Sequence, residues 1–143
     1  MWARSALTLL FFAGWCPYAL AQSCGSAPIA PALASATEIK QDSPAAAAAA
    51  KHDAFVEIKS WQDELKSYRA CMVSFGNEAK RQIPQLDPQK DADKLKRYQD
   101  QVKAADHAYD TSVDMEERVV NEFHAIQAAY CTRSDVDKSS CPK

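Results

Sequence analysis

Residues 58–79 read IKSWQDELKSYRACMVSFGNEA, and this stretch decides the fold. Ile58, Trp61, Leu65, Tyr68, Met72, Phe75 and Ala79 recur at alternating intervals of three and four. An α-helix turns once in about 3.6 residues, so this spacing draws one apolar stripe down a single helical face. The alternation returns downstream in Leu95, Tyr98, Val102, Ala105 and Tyr109, then runs through Ser112 and Glu116 to Val119, Phe123, Ile126 and Tyr130. Two such stripes in one chain form the seam of a left-handed coiled coil. Only Ser112 and Glu116 interrupt it.

Local signals set the helix ends. Ser43 before Pro44 is a start signal, because the serine oxygen accepts from a free amide and proline fits the first helical position. The six alanines at 45–50 propagate that helix well, and Gly76 costs it about 1 kcal/mol relative to alanine. Asp87-Pro88 repeats the start signal, and neither glycine nor proline follows until Pro142. The expected fold is all-α: an antiparallel two-helix coiled-coil hairpin, with helices at about 44–83 and 88–132 joined by a short link. An extended arm (22–43), with a short turn of helix between Ala32 and Lys40, precedes it, and a loop (133–143) follows. Folding the chain at 85–86 sets Trp61 against Ser112, Tyr68 against Ala105 and Val119 against Ala54, so that bulky residues mostly meet small ones.

The composition agrees. The 143 residues include 26 alanines and only 3 glycines, too few for the tight turns of a small β-sandwich or for a glycine-rich phosphate loop. The net charge of −2 carries no basic footprint, so no nucleic-acid partner is expected.

The first 21 residues read as an export signal. Arg4 supplies a positive flank, Ala6 to Trp15 form a ten-residue apolar run, and Ala19-Leu20-Ala21 is a small-x-small cleavage pattern before Gln22. The run is shorter than the roughly 20 apolar residues of a membrane-crossing helix, so no stable span is expected once it is removed. A periplasmic or secreted location follows.

Cys16 leaves with the signal, and Cys24, Cys71, Cys131 and Cys141 remain. An even count in an exported chain of this size reads as two disulfides, with three connectivities to choose from. No pair has the close spacing of a zinc site. A helix from Ser43 to Cys71 rises roughly 40 Å. The arm can extend roughly 60 Å, so Cys24 can reach Cys71. Cys71–Cys131 is excluded if the helices are continuous, because roughly 40 Å of helix would separate the two residues. The favoured pairing is Cys24–Cys71 with Cys131–Cys141. Cys24–Cys131 with Cys71–Cys141 stays open, at the cost of stretching the short tail across most of that distance.

Tyr68-Arg69-Ala70-Cys71-Met72, with Phe75 and a polar helix after it, resembles small exported helical-hairpin proteins of proteobacteria. These carry an N-terminal arm with cysteine and prolines, a Y-R-x-C-[IM] helix and a second helix. The resemblance spans about residues 22–110. It implies a periplasmic or secreted location and a Cys24–Cys71 bridge, and it implies no reaction. Cys131 and Cys141 depart from that two-cysteine pattern.

Chemistry-bearing residues are sparse. His52, His107 and His124 all fall off the seam, and no histidine is expected beside a cysteine, so no nucleophile is assigned. Asp106, Asp110 and Asp114 recur at every fourth position beside His107, but a bare helical stripe offers a cation no convergent cage. It reads as a solvated acidic face, and Asp135 and Asp137 read as part of a solubilising tail. No metal, cofactor or catalytic residue is expected. Glu116 breaks the seam and needs water or a cation such as Lys51 or Lys59. Off the seam, Phe55, Val56, Val73, Val113, Met115 and Val120 remain apolar, more than a two-helix hairpin covers. Ile29, Leu33 and Ile39 of the arm cover some of them. The rest, foremost Phe55, Val113, Met115 and Val120, form the expected surface for a protein partner or a second copy. The expected role is a non-catalytic interaction module, with a periplasmic inhibitor or chaperone-like binder of exported proteins as the alternative. A divalent-cation binder stands third.

Overall fold

The computed structural model describes residues 24–141; the expected export signal at 1–21 lies outside them. Within that range the chain forms α1 (Ala36–Gln41), α2 (Pro44–Gln82), a 3-10 turn (Ile83–Gln85) and α3 (Ala92–Cys131), with no strand among the described residues. Ser43 caps α2 by accepting from the Ala46 amide at 3.3 Å, with Pro44 in the first turn. Ser35 and Glu38 cap α1 reciprocally: the Glu38 amide donates to Ser35 Oγ and the Ser35 amide to Glu38 Oε2.

The second start signal acts differently from the sequence expectation. Asp87 does collect amides, from Gln89 at 2.9 Å and Lys90 at 3.2 Å. The turn it nucleates closes after one round, with the Asp91 amide donating to the Asp87 carbonyl at 2.8 Å. Asp91 then leaves helical geometry (φ −113, ψ 25), and α3 starts only at Ala92.

Along α2 and α3, residues meet in reverse order. Gly76 approaches Ala105, Arg69 meets Ser112, Gln62 meets Glu116 and Phe55 meets Phe123. Val119 packs with Ile58, Trp61 and Leu65, where the sequence reading set it against Ala54. The register is thus displaced by about one heptad, because the turn between the helices takes up residues the reading had given to α3. A heptad slip keeps the same residues in the seam. It changes which of them touch.

The small residues still serve close approach. A Cβ placed on Gly76 would stand 3.2 Å from the Ala105 Cβ, closer than ordinary van der Waals contact. Ala47 and Ala54 give Ile126, Ala129 and Tyr130 room to pack, with Ile39 of α1 completely buried among them.

Cys24 is bonded to Cys71 and Cys131 to Cys141, with Cα separations of 5.7 and 5.8 Å. The first bridge ties the arm to α2, and Gly25 (φ 69) takes the left-handed conformation that turns the chain away from it. The arm then runs beside the helices: Trp61 Nε1 donates to the Pro28 carbonyl at 3.3 Å, and Ala30 and Leu33 pack on Trp61 and its neighbours. Ile29, expected to cover apolar surface, instead stands 93% exposed.

The tail is more than a solvated appendage. Arg133 donates to the Ile39 carbonyl at 2.6 Å and the Asp42 carbonyl at 2.8 Å, while Asp135 holds its guanidinium from the other side. Tyr130 Oη donates to the Asp137 carbonyl and Lys51 Nζ to Ser140 Oγ. The disulfide-closed loop therefore clamps the end of α1 onto the start of α2. No helix among the described residues is long and apolar enough to cross a membrane.

Candidate functional site

The arm lies against one side of the α2–α3 pair and leaves the other side bare. Side chains at helical spacing show which residues share that bare side. On α2 they are Phe55, Gln62, Arg69 and Val73; on α3 they are Tyr109, Val113, Glu116 and Val120. Phe55 is 49% exposed, Val73 48%, Tyr109 38% and Val113 40%. Val120 is half-buried. Isolated exposed apolar residues are ordinary, but several on one face are not.

A polar bridge crosses the middle of this face. Arg69 Nε donates to Ser112 Oγ at 2.7 Å, Nη2 to the Ser112 carbonyl at 2.6 Å and Nη1 to Glu116 Oε2 at 2.5 Å. Gln62 Nε2 donates to the other oxygen of Glu116 at 2.7 Å. The buried Ser112 hydroxyl in turn donates a hydrogen bond to the Tyr109 carbonyl. The hydrogen bond from Arg69 holds the Glu116 carboxyl below the usual carboxylate range; partial burial opposes this, and Gln62 and Lys59 add to it. Both interruptions of the seam are thus answered by one guanidinium, whose carbon also lies 5.8 Å from the Tyr109 ring centroid.

Two shallow grooves flank the bridge. Toward the α1 end, Phe55 and Phe123 stack at 6.2 Å between centroids, beside Tyr130 with Lys51 Nζ 4.3 Å from its ring centre. Toward the turn end, Val73 of α2 and Asp106, Tyr109 and Asp110 of α3 line the second, near the point where Lys80 reaches Asp106 at 3.5 Å.

The structure thus gathers Phe55, Val113 and Val120 onto one face. Met115 is on the other side, partly buried against the Trp61 cluster with Ala30 and Leu33. Cys24, Cys71, Cys131 and Cys141 brace the frame and are all bonded. Glu116 finds its cation in Arg69, where the sequence reading had named Lys51 and Lys59; with the register moved by about a heptad, Arg69 is the residue at the right height. Tyr109 had been placed in the seam. A straight helix drifts about 20° per heptad from a strict 3.5-residue repeat, which carries Tyr109 to the edge. No group of three or more His, Cys, Asp or Glu among the described residues is arranged to hold a metal ion.

No protein-family model, no curated protein and no solved structure matches this chain.

Proposed function

We propose that this chain is an exported, non-catalytic protein-interaction module: an antiparallel coiled-coil hairpin, braced by two disulfides, that binds protein through the face its arm leaves bare. The observation that carries the reading is that asymmetry. The chain commits a disulfide-tethered arm to covering one side of its helix pair, yet leaves Phe55, Val73, Tyr109 and Val113 exposed on the other. Water in contact with such a face is costly, and a partner that displaces it gains the corresponding free energy. Two disulfides suit an oxidising compartment, which supports export.

The test of binding is a Val73→Glu, Val113→Glu pair. Both residues are exposed, so circular dichroism should show unchanged helicity, while chemical cross-linking to protein in a periplasmic extract should be lost. Cross-linking that survives the pair refutes the binding face. Mass measurement on material recovered outside the cytoplasm tests export, with a new N-terminus at Gln22 expected and the full chain retained inside the cell as the contrary result.

A further inference from the structure

We infer that the groove at the α1 end of the helix pair is a binding site for a small carboxylate with an aryl body. The inference concerns that groove alone, which has polar donors at one end and aromatic rings at the other. Phe55 of α2 and Phe123 of α3 stand level with each other and form the apolar end. One turn back along α2, Lys51 is level with Gln127, and Ser140 of the disulfide-closed tail reaches in beside them. The groove has a volume of about 360 Å³, at the lower end of the range for small-molecule sites.

Lys51 is held in place without being neutralised. Its Nζ donates to Ser140 Oγ at 2.5 Å and stands 4.3 Å from the Tyr130 ring centre. An ammonium has three donors, so this leaves some for a ligand. Lys51 forms no ion pair among the described residues. The acids nearby are turned away or occupied. Asp53 and Glu57 face the arm, lining a recess with Ala32, Leu33 and Ala34. Glu122 and Glu117 lie on another side of α3, beside Arg118 and Asn121. Glu116 is taken by Arg69 and Gln62, and Asp137 by the amide and hydroxyl of Ser139. Asp63, one turn beyond Lys59, does not pair with it. Lys59 Nζ instead stands 5.9 Å from the Phe55 ring centre, and His52 lines the groove close to Lys51. In a chain of net charge −2, this groove therefore presents cations and neutral donors to its contents.

The spacing selects the ligand. Lys51 and Phe55 are one turn apart, about 6 Å along the helix, which is about the separation of carboxylate and ring in an arylpropionate. The carboxylate accepts from Lys51 Nζ, with the Gln127 amide and the Ser140 hydroxyl as further donors. The ring lies against Phe55 and Phe123. One ammonium among neutral donors suits a monoanion, and no guanidinium lines the groove to grip a phosphate from two sides.

Titration of the isotope-labelled, disulfide-intact protein with phenylpropionate, followed by NMR, tests this. The amide signals of Lys51, Phe55, Phe123 and Gln127 should move together and saturate, with a Kd of about 1 mM for so small a ligand on an open groove. Phenylpropionamide has the same shape without the charge and should bind at least tenfold more weakly. Lys51→Met keeps the stem and should lose as much. Ser140→Ala removes the tail contact but keeps the ammonium, and should stay within about threefold of the unmodified chain. Circular dichroism checks that each variant keeps its helicity. Signals that do not move, or an amide that binds within threefold of the carboxylate, overturn the inference; so does Lys51→Met binding as the unmodified chain does. The inference does not rest on the face binding protein. Val73 and Val113 lie at least about 15 Å along the helices from Phe55, so the Val73→Glu, Val113→Glu pair should leave phenylpropionate binding intact. Binding lost with that pair places the ligand elsewhere and overturns the site. Cross-linking lost with it, in a chain that never binds phenylpropionate, removes the site and leaves the binding face standing.

Discussion

Removing the Arg69 guanidinium should cost more than any other single polar change on the bare face. Arg69→Ala deletes three donated hydrogen bonds, two to Ser112 and one to Glu116, along with the side-chain stem that lies over the seam. Breaking a fully buried ion pair from one side costs about 3–5 kcal/mol. Here the Arg69 side chain is 18% exposed and that of Glu116 27%, so water reaches the orphaned carboxylate, which also keeps its bond from Gln62. The loss should therefore be about 2 kcal/mol, near the value of a hydrogen bond to a charged group. Arg69→Lys keeps the charge but cannot reach Ser112 and Glu116 together, and should lose about 1 kcal/mol. Urea unfolding followed at 222 nm, with disulfides intact, measures these values. A double-mutant cycle with Glu116→Ala should give a coupling of at least 1 kcal/mol. A coupling below about 0.3 kcal/mol would show that the bridge is a bystander. Replacing both partners by leucine should recover most of the stability, because the cost lies in the unpaired charge more than in the missing pair.

The bridge also gives stability a pH dependence of definite sign. Glu116 releases its proton more readily folded than unfolded, because Arg69 donates to the carboxylate. Its contribution is therefore complete above the ordinary carboxylate range and disappears as pH falls through the lowered folded value. Glu116→Gln should be destabilising near pH 7, and the gap from the unmodified chain should close in acid. A gap that stays constant from pH 7 to pH 2 contradicts the assignment.

Gly76 faces Ala105 at close range, so Gly76→Ala should be nearly neutral, a propensity gain of about 1 kcal/mol offset by crowding against Ala105, whereas Gly76→Leu should lose about 2–3 kcal/mol in the same urea assay. Opening the small loop with Cys131→Ser and Cys141→Ser should cost about 2.7 kcal/mol on the chain-entropy model, read as a lowered unfolding midpoint. Arg133→Ala should leave global unfolding cooperative but remove hydrogen-exchange protection from the α1 amides, since its guanidinium covers the Ile39 and Asp42 carbonyls; retained protection would refute the clamp. Trp61→Phe replaces the buried indole with a smaller ring and loses the bond to the Pro28 carbonyl, so limited proteolysis should cut the arm sooner, at a stability cost of about 1–3 kcal/mol.

The seam was legible because its signal is periodic. Of the positions a three-four alternation selects, Ile58, Trp61, Leu65, Met72, Ala79, Ala105, Ser112, Val119, Ile126 and Tyr130 are buried; Tyr68, Phe75, Leu95, Tyr98, Val102, Glu116 and Phe123 are half-buried, and Tyr109 is exposed. Register was not legible, because it depends on how many residues the turn consumes. Asp87-Pro88 has the chemistry of a helix start, and whether that start continues is decided at Asp91, whose backbone departs from helical angles. The slip of about a heptad explains why Arg69 was overlooked: Ser112 and Glu116 announced the need for a cation, while the assumed register set other residues opposite them. The clamp at Arg133 was hidden for another reason. Its acceptors, Ile39 and Asp42, are more than ninety residues away in sequence, and backbone carbonyls leave no trace in composition.

The placement of the arm makes the bare face hard to explain as a packing accident. The arm has apolar residues to spend, and it leaves one of them, Ile29, almost wholly in water. It could bury more apolar surface on the other side of the pair, over Val73 and Val113, were it free to cross. Cys71 forbids that. The bridge starts the arm on the flank occupied by Trp61 and Met115, and the Arg133 clamp fixes its far end at the start of α2. A chain constrained at both ends of its arm keeps one side of the helix pair covered and the other open whatever the surrounding protein concentration. Its two covalent loops thus hold the apolar centre of the open face in one shape, which would lower the ordering cost of the association proposed above.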